Sequence, residues 1–228
     1  MQLSIIIPAY NEGAHIERII RDIHEQLQVV ESDFEIVVVD NGSSDDTPSV
    51  LLALSKEMPR LHAVHVLPNR GYGGGILAGL SAARGDVLCW TDGDGQIGAE
   101  ILREMYAIVQ KENLRFFKAR RIVRHDGLLR VVQSKIYNLI FQMLFLASVN
   151  DVNAKPKFFH RSFYDQINLA SADLFIDAEI VINALRQGVP IKEYPIVFES
   201  RKEGTSKIKM GAGLEFIKNL LYCRFIKR

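Results

Sequence analysis

The chain has 228 residues, 48% hydrophobic and 24% charged, which suits one globular domain and excludes a disordered or low-complexity protein. Its two cysteines, Cys89 and Cys223, exclude a disulfide framework and a CxxC metal site, and favour a reducing compartment. Net charge is +1, but residues 115–135 carry seven Lys/Arg against Asp126 alone, and residues 201–228 carry eight against Glu203 and Glu215. Such segregation suits an anionic partner or a membrane surface; two solvated faces would give the same count.

The chain starts straight into a strand pattern, "LSIII". No basic leader with a cleavage site precedes it, so a cytoplasmic protein is expected. "GAHIERIIRDIHEQLQVV" then repeats apolar residues at helical spacing, and "FEIVVVD" is a second strand. "SDDTPSVLLALSKEM" reads as a helix with Thr47 as N-cap and Pro48 at its first position. "LHAVHVL" is a third strand, and "GGILAGLSAARG" a short helix stopped by Gly85. "DVLCWTD" is a fourth strand, "AEILREMYAIVQKEN" a helix, and "LRFFKAR" a fifth strand. Near-continuous apolar strands spaced by helices predict an α/β fold, a mostly parallel sheet flanked by helices on both faces.

The pattern becomes less regular after residue 120. A long apolar helix is predicted at about 127–147, "DVNAKPKFFHR" is partly a strand, a helix covers about 177–188, and "IKEYPIVF" (191–198) is a strand. A basic loop, "ESRKEGTSKIK", leads to an amphipathic helix from about 212. The longest apolar stretch, residues 136–149, is interrupted by Asn138 and Gln142 and falls short of the roughly 20 residues of a spanning helix. It can lie on a bilayer rather than cross it. One domain is expected over 1–228, with a nucleotide-binding half (1–121), an acceptor half (122–210) and a C-terminal amphipathic basic helix (211–228).

In an open α/β sheet, ligands bind beyond the carboxyl ends of the strands. The segments there are "PAYNE" (8–12), "DNGSSDD" (40–46), "NRGYGGG" (69–75), "DGDGQ" (92–96) and "ARR" (119–121). Each is weak alone, and five in register are not. Asp92, Asp94 and Gln96 alternate with glycines, so oxygen ligands can converge, as Mg²⁺ or Mn²⁺ requires. An EF-hand loop fails, because position six from Asp92 is Ile97 and position twelve is Arg103. "GYGGG" is not a dinucleotide fingerprint, since the strand order around it is wrong; Tyr72 and its glycines fit a loop near a base or diphosphate. Asp40 either accepts from the N–H edge of a base or closes an Asx-turn. Phe116 and Phe117 sit in a strand-like run rather than on a stacking platform, which argues against nucleic acid.

Together, "SIIIPAYNEGAHI", "EIVVVDNGSSDDT", "NRGYGGGILAGLSAARGD", "TDGDGQ", "DLFIDAEIVINALRQG" and "ESRKEGTSK" resemble the family 2 glycosyltransferases of the GT-A fold. The resemblance is closest to the dolichyl- and polyprenyl-phosphate mannosyl- and glucosyltransferases, and covers about residues 3–210. It implies transfer of a hexose from a GDP- or UDP-sugar to a lipid phosphate, with inversion and a divalent cation. By position it implies that Pro8, Ala9, Tyr10, Glu12, Val38 and Asp40 line the nucleoside. Asp92, Gly93, Asp94 and Gln96 would hold metal and diphosphate. Arg120 would reach the donor phosphates or the acceptor, with Arg121 beside it, and Arg201 and Lys207 would close over the donor. Ser134 and Lys135 stand where the family often has Ser-Arg, near the acceptor phosphate. The chain departs from the family at 154–159, reading "AKPKFF" where relatives often have Ser-Gly-Phe, and has Asn41 where relatives have a second acid.

A phosphate acceptor is already an oxyanion and needs no base, whereas a sugar hydroxyl needs one. Asp177 and Glu179 are the candidates for that base, or simply acids at a helix start. The last helix, "GLEFIKNLLYCRFIKR", sets Leu214, Ile217 and Leu221 against Lys218, Arg224, Lys227 and Arg228. It either packs on the domain or associates peripherally with the inner face of a membrane.

Overall fold

The structure is a computed structural model that describes residues 1–124, 128–198 and 212–226. Its strands are β1 (Leu3–Ala9), β2 (Phe34–Asp40), β3 (Leu61–His65), β4 (Val87–Trp90), β5 (Phe116–Arg124), β6 (Lys157–His160) and β7 (Lys192–Phe198). They form one sheet in the order β3-β2-β1-β4-β6-β5-β7. β1 pairs in parallel with β2 and β4, and β2 with β3. β6 runs antiparallel between β4 and β5, and β7 is parallel to β5. The fold is the α/β, mostly parallel arrangement that the alternation predicts.

Among the described residues the helices are α1 (Ile16–Leu27), α2 (Thr47–Glu57), α3 (Gly71–Ala82), α4 (Ala99–Glu112), α5 (Leu128–Phe145), α6 (Arg161–Tyr164), α7 (Ile176–Arg186) and α8 (Ala212–Phe225). Strand side chains alternate faces, and both faces are covered, so the strands are apolar throughout. Ile5, Ile7, Val38, Phe117 and Ala119 pack with α1, α2 and α4 on one face. Ile6, Val37, Trp90, Phe116 and Phe159 pack with α3, α5, α7 and α8 on the other.

Several local expectations shift. "GYGGG" is the first turn of α3 rather than a loop. A Cβ on Gly73 would lie 2.1 Å from the Ser171 carbonyl oxygen, so glycine there lets the helix start dock on the 171–173 segment. α2 begins at Thr47 itself, with Asp46 as the N-cap residue and Pro48 in the first turn. The Asp45 carboxylate accepts from the Thr47 N–H (3.0 Å) and hydroxyl (2.6 Å). α3 is capped at Ala83, two residues before Gly85, whose N–H donates to Ser4 Oγ.

The chain leaves β3 at one edge, crosses β2 and β1, and returns as β4 on the far side of β1. The segments after β1, β2 and β4 therefore part around one crevice, where an α/β sheet binds its ligands. β5 brings the "ARR" segment to the same end, because two reversals through β6 restore its direction.

Candidate active site

Side chains knit the first two loops of this crevice. Asn11 takes a left-handed φ of 54°; its N–H donates to Ser43 Oγ (3.0 Å), and its side-chain oxygen accepts from the Ser44 N–H (2.8 Å). The Glu12 N–H donates to Thr47 Oγ1 (2.9 Å), and the Glu12 carboxylate meets His15 Nε2 at 2.6 Å. Asp40 forms the Asx-turn: its Oδ1 accepts from the Ser43 N–H (3.0 Å) and its Oδ2 lies 3.2 Å from His65 Nδ1. Asn41 reaches the Gly71 carbonyl (2.7 Å) and accepts from the Arg70 N–H (3.0 Å), joining the second loop to the start of α3. His65 and Asn41 organise this rim and were not among the expected site residues. The missing signal is tertiary: Asn41 stands in the "DNGSSDD" segment, but its contacts are with Gly71 and Arg70, and His65 stands in no site motif.

The expected nucleoside residues divide. Tyr10 is 38% exposed on the rim, and Pro8 and Glu12 are partly exposed beside it. Ala9 and Val38 are buried in the core under α1, so they support the crevice and do not line it. Both side chains face the surface of the sheet that α1 covers.

The acids after β4 meet cations supplied by the chain. The Tyr72 hydroxyl donates to Asp92 Oδ1 (2.8 Å), and Lys155 Nζ lies 3.2 Å from Asp92 Oδ2. The same ammonium is 3.2 Å from Asp177 Oδ2 and stacks over the Tyr72 ring, 4.9 Å from its centroid. Asp177 Oδ1 accepts a short hydrogen bond from Lys157 Nζ and another from the Trp90 indole (3.2 Å). Lys157 stands directly across the β5–β6 pairing from Lys118, also fully buried, which has its own carboxylate, Glu193, at 2.9 Å.

Burial opposes ionisation of Asp177, but Lys155 and Lys157 outweigh it and hold the carboxyl below the usual carboxylate range. Burial also opposes the charge on Lys155, which Asp177 and Asp92 together raise above the ordinary lysine value. Burial lowers Lys157 to about 8 despite Asp177. Tyr72 is pushed well up by burial first and then by the charges of Asp92, Asp177 and Asp94, so its phenol stays protonated and donates.

Asp94 is partly exposed and accepts from the Gln96 N–H (3.1 Å), while Gln96 itself is buried. Gly93 is buried too. A Cβ there would lie 2.9 Å from Ile7 Cγ2, so glycine serves packing on β1 rather than approach to a ligand. Among the described residues no three His, Cys, Asp or Glu side chains gather into a metal cage. An oxygen-only set completed by substrate phosphates suits Mg²⁺ or Mn²⁺. The residues present fit such an ion through Asp94, with Asp92 beside it.

Arg120 and Arg121 have opposite fates. Arg120 is partly exposed, and its buried Nε has no hydrogen-bond partner among the described residues. Arg121 is locked to Asp151 through Nε (2.7 Å) and Nη2 (2.6 Å), and its backbone N–H adds a third bond (3.0 Å). Burial opposes the Asp151 charge, yet these bonds bring its carboxyl down to about 2. Arg121 therefore braces β5 against Asp151. On α5, Ser134 accepts from Asn138 through its carbonyl (2.8 Å), and Lys135 is exposed. Arg201 and Lys207 lie outside the described residues. Glu179 is buried, and its Oε2 accepts from the N–H groups of Ala170 (3.1 Å) and Ser171 (2.9 Å).

Known proteins resemble this chain in sequence and fold. The family model "Glycosyl transferase family 2" matches residues 4–172. Glycosyltransferase AglD of Haloferax volcanii is 27% identical over 92% of this chain and 35% of its own length. The undecaprenyl-phosphate 4-deoxy-4-formamido-L-arabinose transferase of Sodalis glossinidius is 28% identical over 97% of this chain and 67% of its own length. The chain thus spans about a third of the first relative and two thirds of the second. Glucosyl-3-phosphoglycerate synthase from Mycobacterium tuberculosis, solved with Mn²⁺, uridine diphosphate and phosphoglyceric acid, superposes with a TM-score of 0.78 at 19% identity, covering 98% of this chain and 78% of that one. The fold is therefore GT-A, and the chain belongs to glycosyl transferase family 2 and is a glycosyltransferase.

Proposed function

We propose that the enzyme moves a hexose, mannose or glucose, from a GDP- or UDP-sugar to a polyprenyl or dolichyl phosphate, with inversion and with Mg²⁺ or Mn²⁺. One observation carries the choice of a phosphate acceptor. The two acids that could serve as a base are both occupied: Asp177, 1% exposed, has a lysine on each oxygen, and Glu179 is buried and caps two backbone N–H groups. A base must reach the proton it takes, and a carboxylate held ionised by two ammonium groups is a poor proton acceptor. A phosphate acceptor arrives deprotonated and makes no such demand. The relatives named for transfer to undecaprenyl phosphate support the same reading.

In this scheme Tyr10 and the loops after β1 and β2 hold the nucleoside. Asp94, with Asp92 and Gln96 behind it, would hold the cation, whose chemistry there would be to offset charge on a departing diphosphate. Arg120, whose Nε has no partner among the described residues, offers its guanidinium to donor phosphate or acceptor, and Arg201 and Lys207 add positive charge there. Lys135 and Ser134 on α5 lie toward the acceptor. Among the described residues no helix is long and apolar enough to cross a membrane. Yet Ile136, Leu139 and Met143 on α5 and Leu146 just after it are exposed, as are Leu221, Tyr222 and Phe225 on α8, where Leu220 and Cys223 are buried. These apolar faces support peripheral binding to a lipid surface.

The test supplies GDP-mannose, UDP-glucose and related labelled donors, with Mn²⁺ or EDTA, to the enzyme on anionic vesicles carrying undecaprenyl phosphate. Vesicle-bound enzyme and a metal-dependent, acid-labile lipid-linked hexose are expected. Transfer only to sugar hydroxyls would overturn the acceptor, and enzyme left wholly in the supernatant would overturn the membrane reading.

A further inference from the structure

The ammonium of Lys155 stands against Asp92, one of the carboxylates proposed above to hold the divalent cation. It is 12% exposed, contacts Asp92 on one side and Asp177 on the other, and leans on the Tyr72 ring. Lys157 supplies the second positive charge. Asp92 and Asp177 against Lys155 and Lys157 make a self-neutral quartet of two acids and two ammonium groups. A divalent ion arriving alone at the neighbouring Asp94 meets carboxylate charge that the chain has already cancelled, with a fixed ammonium close by. A diphosphate arriving with the ion reverses the balance, because its own negative charge offsets both cations.

We infer that Lys155 is a built-in competitor of the metal at Asp92, so that the protein takes up its divalent cation only together with a nucleoside diphosphate. This rests on the metal site proposed above. Lys155 is a positioning residue here: it acts through Asp92 and sets the coupling between two ligands. Coupling is reciprocal, so the ion raises diphosphate affinity by the factor by which diphosphate raises ion affinity. Replacing the ammonium by a neutral amide frees Asp92 for the ion and weakens the coupling. Asp177 keeps Lys157 and the Trp90 indole as partners in that variant.

The experiment is Mn²⁺ titration followed by electron paramagnetic resonance, without nucleotide and with saturating UDP or GDP, on wild type, Lys155→Gln, Lys155→Arg and Asp94→Asn. Wild type is expected to bind Mn²⁺ at least 100-fold more tightly with the preferred diphosphate than without. Lys155→Gln is expected to bind Mn²⁺ alone about 10-fold more tightly than wild type, shrinking the enhancement by the same factor. Lys155→Arg, which keeps the charge, is expected to behave as wild type. This last arm keeps the inference testable if Lys155→Gln fails to fold: tight binding of Mn²⁺ alone by Lys155→Arg would overturn it. Unchanged or weaker metal-alone binding in folded Lys155→Gln would also overturn it, while leaving the metal site standing. Wild type that takes up no Mn²⁺ with either nucleotide, or Asp94→Asn that binds it undiminished, would remove the metal site and the inference together.

Discussion

The two ends of the central strands each carry a buried carboxylate cluster, and the clusters are built on opposite plans. At the amino end, Glu35 of β2 accepts from Ser4 Oγ on the neighbouring strand (2.6 Å) and from Arg84 through its backbone N–H (2.6 Å), Nε (2.9 Å) and Nη2 (2.7 Å). One acid meets an excess of donors, all supplied by the chain, and both oxygens are used. Hydrogen bonds and the Arg84 charge outweigh burial and lower its pKa. At the carboxyl end, two acids share the Lys155 ammonium, Asp94 stands at the solvent edge, and the buried Nε of Arg120 has no partner among the described residues. A cluster closed on itself holds a fold together; one beside a buried cationic nitrogen without a partner, the Arg120 Nε, is arranged for something that arrives later.

The sharpest way to break the comparison is to remove one acid from each end. Asp94→Ala is expected to lower transfer by at least about 10³-fold, the scale on which electrostatic stabilisers of a leaving group act, with the melting temperature unchanged. Initial rates with saturating donor and Mn²⁺ measure the first, and thermal unfolding the second. A variant that keeps more than a tenth of wild-type turnover would show that the carboxyl-end acids are no more functional than Glu35.

Glu35→Ala should do the reverse. It takes the acceptor from the Ser4 hydroxyl and the Arg84 guanidinium and leaves the Arg84 N–H only its longer bond to Ser4 Oγ (3.2 Å), at a cost of about 2–3 kcal/mol in unfolding free energy. Turnover per folded molecule should stay within twofold of wild type. Urea unfolding measures the loss, and the same samples assayed below the transition measure activity.

How far these roles could be read from the sequence follows from the range of the forces behind them. Strand and helix positions are local: near-continuous apolar runs and helical spacing place every main element, and miss only the short α6. The carboxyl-end loops were legible as a group because a parallel sheet sends successive loops to one end. The reversed direction of β6 was not, since a four-residue strand such as "KFFH" carries no sign of which way it runs. The partner of the "DGDG" acids was equally hidden. Lys155 stands 63 positions after Asp92 and reaches it only because β6 returns beside β4. Val38 and Ala9 show a third limit: a family position names a residue near the nucleoside, whereas the fold buries both side chains on the face that α1 covers.

Asp151 extends the comparison with the smallest effect. It belongs to the closed kind: Arg121 takes both its oxygens, and Lys118 adds charge. Its folded pKa is about 2, below the ordinary aspartate value of 3.8. A depressed carboxylate stabilises the fold fully above its unfolded pKa, and that contribution fades as pH falls through the folded one. Wild type should therefore lose stability between pH 4 and pH 2 more steeply than Asp151→Asn. The slope difference cannot exceed one proton, about 1.4 kcal/mol per pH unit. Asparagine is the apt replacement, because residue 151 has a left-handed φ of 50° that Asn tolerates. Other depressed carboxylates, Glu35 and Asp177 among them, titrate in the same window in both proteins, so only the difference between the two curves reports on Asp151. Urea unfolding at half-unit steps from pH 5 to pH 2 measures it. Parallel curves would mean that the Arg121–Asp151 pair persists in the unfolded chain or contributes nothing, and would move Asp151 out of the closed class.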